Sequence, residues 1–149
     1  MIALVLGALL GLERELVGKE SAGIRTTMLV TSGATIFSMI ALTLPYIVSA
    51  QTGNLSDVVA RNSGFLTMIA NIVVGIGFLG AGLIIKTDNH PHGVTTAALI
   101  WTAAAIGTLV GVGLTEFAFA AAVLLALLLY MLRKLNVSEV LEKEMKAEK

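Results

Sequence analysis

Residues 71–82 read Asn-Ile-Val-Val-Gly-Ile-Gly-Phe-Leu-Gly-Ala-Gly, part of an apolar stretch that continues to Ile85. In water this segment would be a poor helix, because each interior glycine costs about 1 kcal/mol relative to alanine. In a bilayer, a helix satisfies every backbone hydrogen bond of a run of this length. The stretch therefore predicts a transmembrane helix.

With about 3.6 residues per turn, the glycines of this helix fall on two opposite faces, together with a few other residues. The faces comprise Asn71, Gly75, Phe78 and Gly82 on one side and Gly77, Gly80 and Ala81 on the other. Small residues allow neighbouring backbones to approach closely. We therefore expect this helix to lie at the centre of a bundle.

The composition is that of an integral membrane protein. Of 149 residues, 56% are hydrophobic and 13% are charged, and the mean hydropathy is +0.90. A soluble core cannot hold that much apolar sequence without exposing it. The absence of cysteine excludes disulfides, thiolate metal sites and cysteine nucleophiles. A net charge of zero argues against a nucleic-acid partner.

Five apolar segments predict an all-α bundle of five transmembrane helices within one domain, residues 1–134. The N-terminal segment lacks a basic region before its apolar run, so we expect a retained helix rather than a signal peptide. Residues 135–149 are expected to form a short cytoplasmic helical tail. The predicted spans are residues 1–17, 26–44, 65–85, 94–114 and 117–132.

The basic residues predict the orientation of the bundle. Five spans place nine of the ten Lys and Arg residues on the side of the first loop, the third loop and the C-terminus. The opposite side holds Arg61 alone. The positive-inside rule therefore predicts an outer N-terminus and a cytoplasmic C-terminus.

Charged residues end the first span and open the second. Glu13, Arg14 and Glu15 are either an interfacial cluster that ends the helix or charges within the cytoplasmic half of the membrane. Position 13 lies only about 18 Å along a helix that begins at Met1. Charges that lie this far inside the membrane must form ion pairs or contact water. Because one short loop joins the two helices, we expect Arg25, next to Thr26, to pair with Glu13 or Glu15.

Four hydroxyl residues, Thr27, Thr31, Thr35 and Ser38, share one face of the second span. Their hydroxyls can bond to the carbonyl one turn back and help helices to pack. The alternative is a polar lining that faces a water-filled crevice. The sequence leaves both interpretations open.

Further polar and small residues in the spans are candidates for helix contacts or ligand contacts. Asn71 can bond to another helix or to a ligand, and the Trp101 indole lies deep enough to need a partner. The polar candidates are Asn71, Thr95, Thr96 and Trp101. The predicted packing glycines are Gly7, Gly11, Gly75, Gly77, Gly80, Gly82, Gly107 and Gly111.

Metal-binding candidates are few. Asp88, His90 and His92 have ligand chemistry, but a proline-bearing loop without a further ligand is more often plain polar surface. Glu13 and Glu15 provide few oxygen ligands for magnesium, which prefers near-octahedral oxygen coordination. A homodimer would double the number of these carboxylates. No nucleophile–base pair lies in a span, so we expect neither enzyme activity nor a resident cofactor.

Four sequence blocks together resemble the MgtC/SapB family, in family order and over about residues 5–113. The blocks are Gly11-Leu12-Glu13-Arg14-Glu15, Gly23-Ile24-Arg25-Thr26, residues 75–82 and Gly93-Val94-Thr95-Thr96-Ala97-Ala98. The resemblance implies a bacterial inner-membrane protein linked to growth at low magnesium and, in some pathogens, to virulence. It implies regulation of other membrane machinery, such as ATP synthase or ion pumps, with a magnesium transporter or channel as the alternative.

The chain departs from the family pattern in three respects. Asn71 and Val74 stand where members often have Gln and Ser, and the outer loop before the third span is long. Many members also carry a folded cytoplasmic domain after the last helix, where this chain has a short tail. The resemblance therefore covers the transmembrane domain, and small residues on several of its faces allow a homodimer.

Overall fold

The computed structural model describes residues 1–16, 22–52, 56, 64–87 and 90–134. The side chains of Glu13, Gln51, Thr52, Phe65, Thr87, His90, Arg133 and Lys134 lie outside this description. The described ranges contain five α-helices and one two-stranded hairpin. In chain order the elements are α1 (Ile2–Leu16), α2 (Ile24–Thr52), α3 (Gly64–Leu83), β1 (Ile85–Thr87), β2 (His90–His92), α4 (Val94–Gly111) and α5 (Thr115–Lys134).

The prediction of an all-α membrane bundle is confirmed. Among the described residues, the four helices α2 to α5 are long and apolar enough to cross a membrane. Helix α1 has 15 residues and is therefore about 22 Å long, shorter than a hydrocarbon core of about 30 Å. The orientation inferred from the basic residues stays a prediction.

Helix α2 does not end at Leu44, as the sequence suggested, but continues through Pro45 to Thr52. A proline removes one backbone hydrogen bond, which transmembrane helices tolerate. The residues after it, Tyr46, Ile47 and Val48, are large, mainly apolar side chains that remain exposed.

The segment predicted as a plain loop between α3 and α4 contains an antiparallel hairpin. Ile85 pairs with His92 and Lys86 with Pro91. Gly93 follows with φ of 84°, and a Cβ there would collide with the Leu83 carbonyl. This turn therefore holds the end of α3 against the beginning of α4.

The centre of the bundle is α4, and not the glycine-rich helix α3 as the sequence suggested. Helix α4 packs against all four other helices, and it approaches α2 most extensively. Ala103 and Ala104 are buried on it, so neighbours approach on several sides. Within the described part of α3, Gly80 is the one buried residue. The reason is that most small residues of α3 meet no neighbour, whereas those of α4 do.

The apolar core lies where α1, α4 and α5 meet. Its large buried side chains are Leu6 and Leu10 of α1 and Leu99 and Ile106 of α4. Ala118 and Ala122 of α5 complete it from the third side and are fully buried. The core thus fixes α1 and α5 against α4 and leaves the other side of α4 to α2 and α3.

Candidate functional site

The hydroxyl residues of α2 are buried and bonded within the bundle. Thr27, Thr31 and Ser38 have no exposed surface, and Thr35 is 9% exposed. The Thr31 hydroxyl donates to the Thr27 carbonyl at 2.7 Å, and the Ser38 hydroxyl donates to the Ala34 carbonyl at 2.8 Å. This geometry favours the packing interpretation over a polar crevice, because each donor is directed at a carbonyl one turn back.

Two glycines of α1 lie against the first turns of this hydroxyl face. A Cβ at Gly7 would lie 2.7 Å from the Met28 Cα and 2.8 Å from the Thr27 carbonyl oxygen. A Cβ at Gly11 would lie 2.6 Å from the Ile24 Cα. These distances are shorter than carbon atoms tolerate, so α1 can approach α2 this closely only because both positions are glycine.

Two glycines of α4 lie against the next turns of the same face. A Cβ at Gly107 would collide with the Thr31 carbonyl, and one at Gly111 would lie 2.6 Å from the Thr35 carbonyl oxygen. Helix α2 is therefore held between two glycine pairs spaced four residues apart. We name this contact the hydroxyl–glycine seam, which comprises Thr27, Thr31, Thr35, Ser38, Gly7, Gly11, Gly107 and Gly111.

The four predicted packing glycines of α3 behave differently. A Cβ at Gly80 would make an ordinary contact of 3.6 Å with the Ala97 Cβ. At Gly75, Gly77 and Gly82, no atom of the described chain lies within 4 Å of the Cβ position. The expectation that these three glycines pack closely against a neighbouring helix is therefore wrong for a single copy, and Gly75 borders an open groove between α2 and α3.

The predicted charged cluster is only partly assembled at the junction of α1 and α2. The Glu15 carboxylate accepts a hydrogen bond from the Ile24 backbone N–H at 3.3 Å, at the beginning of α2. Arg14 is buried, with 7% of its surface exposed. Arg25 is exposed, and Thr26 beside it is half-buried.

The expected ion pair between Arg25 and Glu15 is not formed among the described side chains. Instead, the Glu15 carboxylate accepts a hydrogen bond at the beginning of α2, where backbone N–H groups lack intrahelical partners. The alternative pairing with Glu13 concerns a side chain outside the described residues. The structure therefore brings Glu15 to the beginning of α2 without bringing Arg25 to Glu15.

Metal-ligand chemistry is sparse in the described part of the chain. Those residues contain no group of three or more His, Cys, Asp or Glu side chains placed to hold a metal ion. Of the two candidate magnesium ligands, Glu15 is hydrogen-bonded to the Ile24 N–H at the beginning of α2, and the Glu13 side chain lies outside the description. Asp88 and the His90 side chain also lie outside the description.

The remaining polar candidates are dispersed. Thr96 is buried, whereas Thr95 on the neighbouring position is exposed. Asn71 is exposed and borders a groove of about 350 Å³ between α2 and α3. Trp101 is 50% exposed and borders a groove of about 300 Å³ between α3 and α4. The two grooves flank α3, which packs loosely along this part of its length.

Sequence reasoning did not single out Gly33 of α2, which lines the first groove opposite Gly75. No atom lies within 4 Å of a Cβ position at Gly33. The available signal was an isolated glycine inside an apolar span, which often marks a position where another backbone approaches.

Similarity to known proteins extends over the helices described above. The sequence model described as "MgtC family" matches residues 1–138. The chain belongs to the MgtC family. The match includes all five described helices and therefore the complete hydroxyl–glycine seam.

Curated relatives of this MgtC-family chain are similar over most of its length. It is 38% identical over 133 residues to Protein MgtC of Brucella abortus (strain 2308), which covers 89% of this chain and 49% of the relative. It is 36% identical over 134 residues to Protein MgtC of Salmonella typhimurium (strain LT2), which covers 90% of this chain and 51% of the relative. The chain thus spans about half the length of the curated relatives it matches. No solved structure gives a significant match.

Proposed function

We propose that this protein is a regulatory protein of the bacterial inner membrane that supports adaptation to low magnesium. It acts through helix contacts and its charged cytoplasmic end on other membrane machinery, such as an ATP synthase or an ion pump. Membership in the MgtC family supports a membrane role of this kind. The proposal assigns no catalytic reaction and no resident cofactor to the protein.

The observation that carries this proposal is that the α2 hydroxyls are buried and hydrogen-bonded to backbone carbonyls. An ion path along the bundle would need polar groups that face water, because magnesium sheds its water reluctantly and prefers oxygen ligands. The hydroxyls of Thr31, Thr35 and Ser38 are instead bonded to carbonyls and covered by Gly107 and Gly111. This polar strip serves helix packing, which supports a role through contacts.

The outer surface of the bundle supports the same role. Helix α3 exposes 71% of Val74 and 86% of Phe78, while Arg25 lies exposed at the charged end. Apolar side chains on a span can contact lipid or another transmembrane helix. The exposed Arg25 at the beginning of α2 offers a partner a cation near the membrane surface.

Reconstitution in liposomes tests the proposal against the alternative of a divalent cation transporter or channel. Purified protein is reconstituted around a magnesium-sensitive dye, and magnesium is added outside. We expect influx equal to that of protein-free liposomes. Gradient-driven influx that is lost on Glu13→Ala would overturn the regulatory proposal and favour the transporter.

Co-purification tests the contact itself. After cross-linking in bacterial membranes, the tagged protein is isolated and its partners are identified by mass spectrometry. We expect a membrane ATPase or pump whose yield falls several-fold on Arg25→Ala. Lys86→Ala is the matched control, since Lys86 is an exposed basic residue near the same end of the bundle. Equal yields for both variants would contradict a specific role for Arg25.

A further inference from the structure

The interface between α2 and α3 contains an open groove of about 350 Å³. Gly33 of α2 lies on one wall of this groove and Gly75 of α3 lies on the other. No atom of the described chain lies within 4 Å of a Cβ position at either glycine. Each wall therefore lacks a side chain at the position where the other backbone can approach it most closely.

The interface between α2 and α4 shows what such a glycine does when two helices are in contact. There the Gly107 backbone lies against α2, and the Gly107 carbonyl accepts a hydrogen bond of 2.8 Å from the Thr35 hydroxyl. The groove between α2 and α3 holds the same two parts without the contact. Gly33 has no side chain to cover its carbonyl, and the Asn71 amide, one turn from Gly75, has no hydrogen-bond partner among the described residues.

The directions of this donor and this acceptor match. A helix carbonyl points toward the residue four positions later, so the Gly33 carbonyl points along α2 toward Phe37. Because α2 and α3 are consecutive spans, they run in opposite directions. When Gly75 meets Gly33, Asn71 therefore lies one turn further in the direction of the Gly33 carbonyl. That carbonyl keeps a second lone pair after its helical hydrogen bond, so it can accept from the amide.

The close contacts of α3 lie at its end next to the hairpin. A Cβ at Gly80 would lie 3.6 Å from the Ala97 Cβ, and the turn at Gly93 lies against the Leu83 carbonyl. Further along, α3 borders a second groove, of about 300 Å³, on the side of α4, where Trp101 is 50% exposed. The described part of α3 is thus held at one end and has space on both sides beyond that end.

We propose that α3 rocks about its hairpin end between two positions, the open one in the structure and a closed one in which Gly75 contacts Gly33. Closing replaces the groove by a glycine contact and forms a hydrogen bond between the Asn71 amide and the Gly33 carbonyl. It also widens the groove on the side of α4, so Trp101 becomes more exposed to lipid. Helices α2 and α4 stay in contact through the hydroxyl–glycine seam.

The motion changes the membrane-facing surface of the bundle without changing its core. A partner that contacts one position of α3 better than the other would shift the balance between them. The proposal does not rest on the regulatory function, because the motion is compatible with either function. It is tested on the purified chain without any partner, so its failure and the failure of the regulatory proposal are separate results.

Disulfide trapping in liposomes tests the proposal. The chain contains no cysteine, so Phe37→Cys and Met68→Cys introduce a single pair, one on each wall of the groove. Oxidation forms an intramolecular disulfide only when the walls meet, because the bond needs Cα atoms within about 7 Å of each other. Adding Gly75→Leu or Gly33→Leu fills the approach and is expected to slow trapping at least about tenfold. Adding Asn71→Leu is expected to slow it about three- to tenfold.

A matched control and a second measurement keep the test independent of folding. Gly77→Leu makes the same change two residues from Gly75, at an equally open position that does not line the groove, and it is expected to leave the trapping rate unchanged. Quenching of Trp101, the single tryptophan, by brominated lipids is expected to rise when the disulfide forms and to fall again on reduction.

Three results would overturn the proposal. The first is an equal trapping rate for Gly75→Leu and Gly77→Leu, which would mean that the glycine contact is not formed. The second is Trp101 quenching that does not change with the disulfide, which would mean that α3 keeps one position. The third is a disulfide-linked dimer in place of the intramolecular product, which would assign the groove to a second copy of the chain.

Discussion

The Thr35 hydroxyl on α2 donates a hydrogen bond of 2.8 Å to the Gly107 carbonyl on α4, 72 residues further along the chain. It also lies 2.8 Å from the Thr31 carbonyl, so one donor is shared between its own helix and the neighbouring one. The contact is possible because Gly107 has no side chain to separate the two backbones. The hydrogen bond and the close packing therefore depend on each other, and together they make α2 and α4 one unit.

Thr35→Val should destabilise the bundle by about 1 kcal/mol, because interhelical hydrogen bonds in membranes contribute about that much. Valine keeps the shape of threonine and removes its donor, so the change isolates the hydrogen bond from the packing. Reversible unfolding in mixed detergent micelles measures the loss.

Thr102→Val is the control for the Thr35 experiment. The Thr102 hydroxyl bonds to the Ala98 carbonyl of its own helix at 2.8 Å. We expect Thr102→Val to change stability by less than Thr35→Val. Equal losses would show that the bond between helices adds nothing to the bond within the helix.

Gly107→Ala should destabilise the bundle by about 1–3 kcal/mol, the usual range for adding a methyl group to a well-packed site. The added Cβ would meet the Thr31 carbonyl and lie 3.0 Å from the Ala34 Cβ. The same unfolding measurement reports this loss. Gly77→Ala makes the same change where no atom lies within 4 Å, and it is expected to be neutral or slightly stabilising. A neutral Gly107→Ala would mean that α2 and α4 can separate freely.

The contact glycines of the seam could be predicted from the sequence, whereas the central helix could not. Gly7 and Gly11, and likewise Gly107 and Gly111, are spaced four residues apart, which places both members of each pair on one helix face. The glycines of α3 carry the same local signal, yet Gly75 and Gly77 meet nothing within one copy. Spacing reveals which surface a backbone can approach, but not whether a neighbour occupies it.

The charged end shows a second limit of sequence reasoning. Proximity along the chain correctly brought Glu15 to the beginning of α2, because a short connection joins the helices. Glu15 meets the Ile24 N–H instead of Arg25, whereas the pairing of Arg25 with Glu13 stays a prediction. A free backbone donor at a helix end competes for a carboxylate with any side chain nearby. The choice depends on the path of the connection, which residue types alone do not define.

Glu15→Ala should destabilise the junction of α1 and α2 by about 0.5 kcal/mol, because the carboxylate bonds to a helix N-terminus at an exposed site. Glu15→Gln keeps an acceptor oxygen at the same distance and should retain part of this stability. Hydrogen exchange at the Ile24 amide measures the effect locally. Exchange that is equally fast in the wild type and in Glu15→Ala would contradict the contact.

Gly93→Ala should destabilise the fold by more than Gly113→Ala, although both glycines have left-handed backbone conformations. Their φ angles are 84° and 88°, so alanine has the same backbone cost of about 1–2 kcal/mol at each position. A Cβ at Gly113 meets no atom within 4 Å, whereas one at Gly93 collides with the Leu83 carbonyl. Comparing the unfolding free energies of the two variants therefore isolates the contact that holds α3 against α4. We expect a difference of about 1 kcal/mol or more, and equal losses would show that the turn does not hold α3 in place.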